Sequence, residues 1–146
     1  MAGSERFRCA TCGFEVDEVI AMLPSGALAH YGDRAFPGRC VLAFGTHAEK
    51  LEELSASELT RLVLDVQRAG LAIRAATGAP RINYAVLGNA APHIHVHLIP
   101  RGGPTDRNGT DTPWGPPPPT LPVPPEEAAR LRDGIASALR AGDRCR

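Results

Sequence analysis

Three histidines recur at every second position in one short segment of the chain, His93-Ile94-His95-Val96-His97. In a β-strand the side chains at i, i+2 and i+4 share one face, roughly 6.6 Å apart. The spacing therefore predicts a row of three imidazoles opposite an apolar face. Three of the chain's five histidines lie in this row, and such a concentration indicates a functional site.

Two kinds of chemistry fit such a row. Imidazoles on one strand can chelate a catalytic metal, since zinc binds histidine readily. Alternatively, one imidazole acts as a nucleophile while its neighbours contact oxyanions and handle the proton. The motif alone favours neither alternative.

A second candidate group is the pair Cys9 and Cys12, which has the spacing of half a metal site. In a reducing compartment such a pair is more often a metal half-site or a redox pair than a structural disulfide. We expect Cys40 to be a small core residue and Cys145 to be an isolated thiol near the terminus.

Composition restricts the classes of partner. The chain has 146 residues, 43% of them hydrophobic and 22% charged, and its formal net charge is zero. This balance predicts a single globular domain with no general attraction for nucleic acid or an anionic membrane. Apolar runs are far shorter than the roughly 18 residues of a membrane span, and the first residues do not resemble a secretory signal. We therefore expect a cytoplasmic protein.

Strands and helices alternate in a way that could position these side chains. A helix is expected from the capping-box residue Ser55 to Gly78, and another is expected to begin at Pro124-Pro125. Apolar residues at helical spacing predict a core face on the first helix (Leu59, Leu62, Val63, Val66, Ile73) and on the second (Ala128, Leu131, Ile135, Leu139). Strands are expected within 14–23 and at 27–31, 39–44, 81–87 and 93–99.

The histidine segment and its surroundings resemble the histidine triad (HIT) family. The resemblance rests on residues 93–101, where histidines alternate with hydrophobic residues, and on several flanking groups. These are Pro37-Gly38, the strand at 40–44, Thr46-His47, Asn83-Tyr84, Leu87-Gly88-Asn89, Pro92, Asp106 and Pro113-Trp114. Together they resemble a bacterial branch described as diadenosine-tetraphosphate-hydrolase-like.

The resemblance implies an α+β fold, with an antiparallel sheet of about five strands, a long helix and a C-terminal helix, paired into a homodimer. Residues 1–115 would form the nucleotide-binding catalytic part. Residues 116–146, a proline-rich segment and the C-terminal helix, would belong to the same domain.

The resemblance also implies a reaction at the α-phosphorus of a nucleotide through a covalent nucleotidyl-histidine, with no catalytic metal. His95 would be the nucleophile, and His97 would contact the phosphoryl or leaving-group oxygens. Asn83 and Asn89 would contact phosphate, and Asp33 would accept from ribose hydroxyls. A neutral imidazole is nucleophilic near neutral pH, which agrees with this scheme.

The resemblance also implies a structural zinc, which bacterial relatives with an amino-terminal Cys-x-x-Cys pair commonly bind through that pair and two histidines. The matching positions are Cys9, Cys12, His47 and His93. They make a Cys₂His₂ set of the kind structural zinc prefers.

Several functions share these features. The leading expectation is a hydrolase of dinucleoside polyphosphates or related nucleotide conjugates. A nucleotidyltransferase or a nucleoside phosphoramidase would use the same intermediate. A nucleotide-binding or sensing protein would keep the fold without turnover, and a metalloenzyme would use all three histidines as ligands.

Overall fold

The computed structural model describes residues 5–106, 112–113 and 122–144. The expectations for Trp114, the proline run at 116–119 and Cys145 lie outside these residues. Within the described part, strands and two helices alternate, which confirms the expected α+β class.

Seven strands form two antiparallel sheets. A short hairpin pairs β1 with β2, and the main sheet has five strands in the order β3-β4-β5-β7-β6. Their bounds are β1 Phe7–Arg8, β2 Glu15–Val16, β3 Val19–Leu23, β4 Gly26–His30, β5 Cys40–Phe44, β6 Arg81–Ala85 and β7 His95–Arg101.

Two helices pack against each other and against the main sheet. The first, α1, spans Ala56–Thr77; Ser55 and Glu58 form the expected capping box, and Gly78 ends the helix with φ 71°. The second, α2, spans Pro125–Asp143. The core lies between the helices and one face of the sheet, around Leu28, Leu42, Ile73, Leu98 and Ile135, none of which is exposed. Neither helix is long and apolar enough to cross a membrane.

The histidine strand differs from its expected bounds, beginning at His95 rather than at His93. Upstream, the chain turns so that the His93 N–H donates to the Ala91 carbonyl. The Ile94 N–H donates to the Ala48 carbonyl, while the Ile94 carbonyl accepts from the Phe44 N–H of β5. The strand then extends to Arg101. Other strand bounds differ by one or two residues, and the segment 14–23 contains two strands rather than one.

The predicted core face of α1 is only partly correct. Leu62 and Ile73 are buried, whereas Leu59 and Val63 are 39% and 57% exposed. Asp65 on the same helix is buried, and its carboxylate accepts the Ser25 backbone N–H at 2.7 Å. The buried face of α1 therefore does not coincide with the face that carries most of its large apolar residues.

The register of the sheet determines what surrounds the histidines. Val41 of β5 pairs with His97, Ala43 pairs with His95, and Ala29 of β4 pairs with Val41. Paired residues share a face, so small or β-branched side chains flank the histidines on the side away from the helices. This side of the sheet has room for a ligand.

Candidate functional site

His95 has its proton fixed by the backbone. Its Nδ1 lies 2.7 Å from the carbonyl oxygen of His93. A carbonyl can only accept, so Nδ1 carries the hydrogen and the lone pair of the neutral ring lies on Nε2. The arrangement leaves a nucleophilic nitrogen on the ring edge away from the backbone.

His97 has the opposite arrangement. Its Nδ1 lies 3.2 Å from Nη2 of Arg39, and a guanidinium can only donate. The lone pair of His97 is therefore on Nδ1 and its hydrogen is on Nε2. Burial, then the charges of Arg39 and His95, lower the pKa of His97 to about 4, so the ring is neutral near pH 7.

Arg39 is a residue of this site that the sequence analysis did not single out. Its side chain is 11% exposed and pairs with the Asp33 carboxylate at 2.9 Å. Its guanidinium carbon also lies 4.2 Å from the centre of the Tyr31 ring. The sequence shows only an arginine before an apolar strand; the strand register that brings it to His97 gives no local signal.

A cavity of about 490 Å³ lies over β4 and Val41 of β5, within the size range of small-molecule sites. Tyr31, Val41 and Ala29 line it on one side, and the acidic segment 15–18 lines it on the other. Tyr31 presents its ring edge to His97, with the ring centres 6.1 Å apart. His95 and His97 do not line the cavity themselves, but Val41 pairs with His97 across the sheet, so two of its walls are neighbours of that histidine.

The three expected substrate-binding residues have different surroundings. Asp33 lines the cavity but is 4% exposed, and its oxygens already accept from Ala35 and Arg39. Asn83 accepts a hydrogen bond from Arg101 at 2.6 Å. Asn89 is exposed in the connection before β7. Of the three, Asp33 and Asn83 are held by arginines.

The four expected metal ligands lie together. The ligand atoms of Cys9, Cys12, His47 and His93 are all within 4.8 Å of one another and could hold a metal ion. Cys12 Sγ is 3.4 Å from His93 Nδ1, and Cys9 Sγ is 3.9 Å from His47 Nδ1. Tetrahedral zinc would separate such atoms by roughly 3.3–3.8 Å, so small adjustments close the site.

Contacts outside the cluster support this fit. His93 Nε2 donates to the Phe44 carbonyl at 2.8 Å, which leaves the lone pair of Nδ1 directed at the cysteines, as in a metal-bound histidine. A hydrogen bond from the Cys12 backbone N–H is the main cause that lowers the pKa of Cys9 to about 7. Cys9 and Cys12 are free thiols, so the chemistry of the donor set suits a thiolate-binding metal.

Phe14 connects the cysteine loop to the histidine strand. The loop closes through hydrogen bonds from Cys9 N–H to Phe14 and from Gly13 N–H to Cys9. Phe14 then stacks on His93 at 4.7 Å and on His95 at 4.9 Å between ring centres. One aromatic ring thus contacts both a candidate metal ligand and a candidate reactive histidine.

Comparison with known families identifies the fold and its histidine strand. Residues 33–103 match the HIT domain. The match includes β5, α1 and the histidine strand, and HIT-domain proteins generally are nucleotide hydrolases or transferases.

Solved structures agree with this assignment. A histidine triad protein from Sinorhizobium meliloti 1021 is 26% identical, covering 82% of this chain and 87% of its own, with a TM-score of 0.74. One from Bradyrhizobium japonicum is 27% identical, covering 84% and 87%, with a TM-score of 0.63. A Zn-bound histidine triad family protein from Mycobacterium smegmatis is 20% identical, covering 88% and 87%, with a TM-score of 0.62. No curated protein matches the chain.

Proposed function

We propose that this protein is a nucleotide hydrolase of the diadenosine-tetraphosphate-hydrolase-like type that acts at an α-phosphorus through a nucleotide bonded to His95. The observation that carries this proposal is the pair of fixed rings on one strand. His95 offers a lone pair on Nε2, and His97 offers a hydrogen on Nε2. A nucleophile and a donor for a phosphoryl oxygen are thus adjacent, with ring centres 5.1 Å apart.

The reaction has two displacements. In the first, His95 Nε2 bonds to phosphorus while the bond from phosphorus to the leaving oxygen breaks. In the second, water bonds to phosphorus, the bond to Nε2 breaks, and the water gives up a proton. His97 donates a hydrogen bond to the oxygens that gain charge.

The cavity beside Tyr31 and Val41 would hold the nucleoside. Its aromatic and aliphatic walls suit a base and a sugar ring. Asp33 lines this cavity, and by accepting a hydrogen bond from Arg39 it would also hold that guanidinium in place. Asn83 and Asn89 stay proposed phosphate contacts, and Asn83 would have to exchange or share its bond with Arg101.

Zinc is the metal that we propose for the cysteine and histidine cluster. Two thiolates and two imidazoles in a closed set are typical of structural zinc, and the site leaves His95 and His97 outside. Bound zinc would contribute free energy to folding. The ligands Cys9, Cys12, His47 and His93 would fix the cysteine loop and, through Phe14, the ring of His95.

A nucleotidyltransferase is the second candidate, since it would share the first displacement and differ only in the group that attacks next. A phosphoramidase would differ in the leaving group, and a nucleotide sensor would lack turnover.

A mass spectrometry experiment tests the proposal. Purified protein mixed with diadenosine tetraphosphate and quenched within one turnover should carry one nucleoside monophosphate on His95. His95→Asn should lose turnover by several orders of magnitude while keeping nucleotide affinity, because the ground-state contacts survive. His97→Asn should lose on the order of 10²–10³-fold, as for one oxyanion donor. Near-normal turnover by His95→Asn, or an adduct on His97, would refute the assignment.

A further inference from the structure

A carboxylate, a guanidinium and an imidazole form a connected chain behind the reactive strand. Asp33 accepts from Arg39 Nη1 at 2.9 Å, and Arg39 Nη2 donates to His97 Nδ1 at 3.2 Å. Asp33 is 4% exposed and the Arg39 side chain 11% exposed. The guanidinium also packs against the Tyr31 ring, which restricts its movement. Arg39 is therefore a fixed partner of His97.

This partner determines where His97 carries its proton. A guanidinium has five N–H donors and no acceptor, and it does not deprotonate in proteins. The Nδ1 lone pair of His97 is consequently occupied, and its hydrogen is on Nε2. A carboxylate in the place of Arg39 would have had the opposite effect, since it would accept from Nδ1 and stabilise an imidazolium.

The charges around His97 keep the ring neutral. Arg39 approaches from the start of β5 and His95 from the same strand, β7, while Tyr31 contacts the ring from the end of β4. Asp33 lies behind Arg39 and neutralises its charge in part. Burial is the largest cause of the lowered pKa of His97, and the Arg39 charge is the next.

A neutral ring of this kind donates a hydrogen bond but does not give up a proton, since the product would be an imidazolate. The leaving group must then depart without a proton from His97. A phosphate oxygen can do so because its anion is stable, the second pKa of a phosphate being about 6. An amine cannot, because the bond from phosphorus to nitrogen breaks only after the nitrogen is protonated.

We propose that Arg39 is a positioning residue that holds His97 as a neutral Nε2–H donor, and that the site consequently prefers substrates with a phosphate leaving group, such as dinucleoside polyphosphates, over phosphoramidates. The preference for a phosphate leaving group rests on the proposed function, whereas the position of the hydrogen on His97 does not.

Nuclear magnetic resonance of protein labelled with nitrogen-15 histidine tests the state of His97 without substrate. His97 should show hydrogen on Nε2 and none on Nδ1 at pH 7. In Arg39→Met, hydrogen should appear on Nδ1 in part of the molecules, and protonation should begin at higher pH. Asp33→Asn keeps the guanidinium but removes one of its anchors, so hydrogen should appear on Nδ1 in a smaller fraction of the molecules without protonation beginning at higher pH. Arg34→Met, at an exposed arginine, should show no change. An Nδ1–H in the unaltered protein, or identical spectra for Arg39→Met, would overturn the assignment.

Turnover of two substrates with the same adenylyl group tests the preference. The kcat/KM for diadenosine tetraphosphate should exceed that for adenosine 5′-phosphoramidate. Arg39→Met should lose on the order of 10²-fold in kcat on the tetraphosphate, as for a misplaced catalytic group, and Arg39→Lys should recover part of it. The ratio of kcat/KM for the tetraphosphate to kcat/KM for the phosphoramidate should be smaller in Arg39→Met than in the unaltered protein. A preference for the phosphoramidate overturns the inference. No turnover of either substrate overturns the preference and the proposed function together, while the spectra still decide the state of His97.

Discussion

His95 and His97 are chemically identical side chains two positions apart, and their partners give them different properties. A backbone carbonyl takes the Nδ1 hydrogen of His95, and a guanidinium occupies the Nδ1 lone pair of His97. Both partners act on Nδ1, so the difference appears at Nε2. The sequence shows equal members of a motif, whereas the structure gives one ring a lone pair and the other a hydrogen at the same position.

The lowered pKa of His97 predicts a dependence of stability on pH. In the unfolded chain an imidazole titrates near 6.5, whereas in the folded protein that of His97 titrates at about 4. Between these values the unfolded chain binds more protons, so the contribution of His97 to the free energy of unfolding is complete above about pH 6.5 and is lost as the pH drops toward 4.

His97→Gln should therefore have a shallower decrease between about pH 7 and about pH 5, measured by urea unfolding. The slope that stays in this variant belongs to other groups, which include His30, whose pKa is lowered mainly by burial. An equal slope in the variant and the unaltered protein would contradict the prediction.

At the scale of elements, the cysteine loop and the start of β7 form one unit. Cys9 and Cys12 provide two of the four candidate ligand atoms, and His93 lies two residues before His95, the first residue of β7. The turn at His93 shortens the strand relative to its expected bounds. In return it directs the ring of His93 into the cluster, away from the two histidines that follow.

Metal removal should consequently destabilise the protein. We expect one zinc per chain in protein purified without chelator, and its removal should lower the melting temperature by about 10 °C or more, equivalent to several kcal/mol. Cys12→Ser should have the same effect, whereas His95→Asn should retain the metal and the melting temperature. Elemental analysis and thermal unfolding measure both quantities. Folded protein that contains no zinc after purification without chelator would contradict the proposed zinc site.

The sequence predicted much of this arrangement and missed specific parts of it. The capping box at Ser55 and the glycine at 78 define α1 because they act locally. The sequence places Val63 in the core face of α1, but this residue is exposed. The helical spacing of apolar residues does not show which of them another element covers. Arg39 was missed for a related reason, since its role depends on the pairing of two strands that are far apart in the sequence.

At the scale of the whole molecule, one side of the sheet ends in an apolar surface. The strand β6 is an edge strand, and Tyr84 on it is 51% exposed. A Cβ at Gly70 would lie 2.3 Å from the Tyr84 hydroxyl, so Tyr84 packs over α1. Val63, two turns earlier on α1, is 57% exposed, and Val86 is 42% exposed. We call these residues (Val63, Tyr84 and Val86) the edge patch.

We expect the edge patch to pair with its copy in a homodimer, since an unpaired edge and an apolar surface both gain from a partner. Val63→Glu should give a monomer in light scattering at micromolar concentration. Met22→Glu is the matched control, because Met22 is 61% exposed on β3 at the opposite edge of the sheet. A monomeric unaltered protein, or equal effects of both substitutions, would contradict this interface.

The bond between Arg39 and His97 also has a consequence for the group that attacks after the leaving group has departed. With its Nδ1 lone pair occupied and its Nε2 protonated, His97 cannot take a proton from an incoming water. Water must then lose its proton to solvent or to a substrate oxygen, whereas an anionic acceptor arrives with none to lose. The nucleotide that we propose on His95 should therefore persist long enough for phosphate-bearing acceptors to compete with water. The supply of acceptors, rather than the site itself, would then set the balance between hydrolysis and transfer.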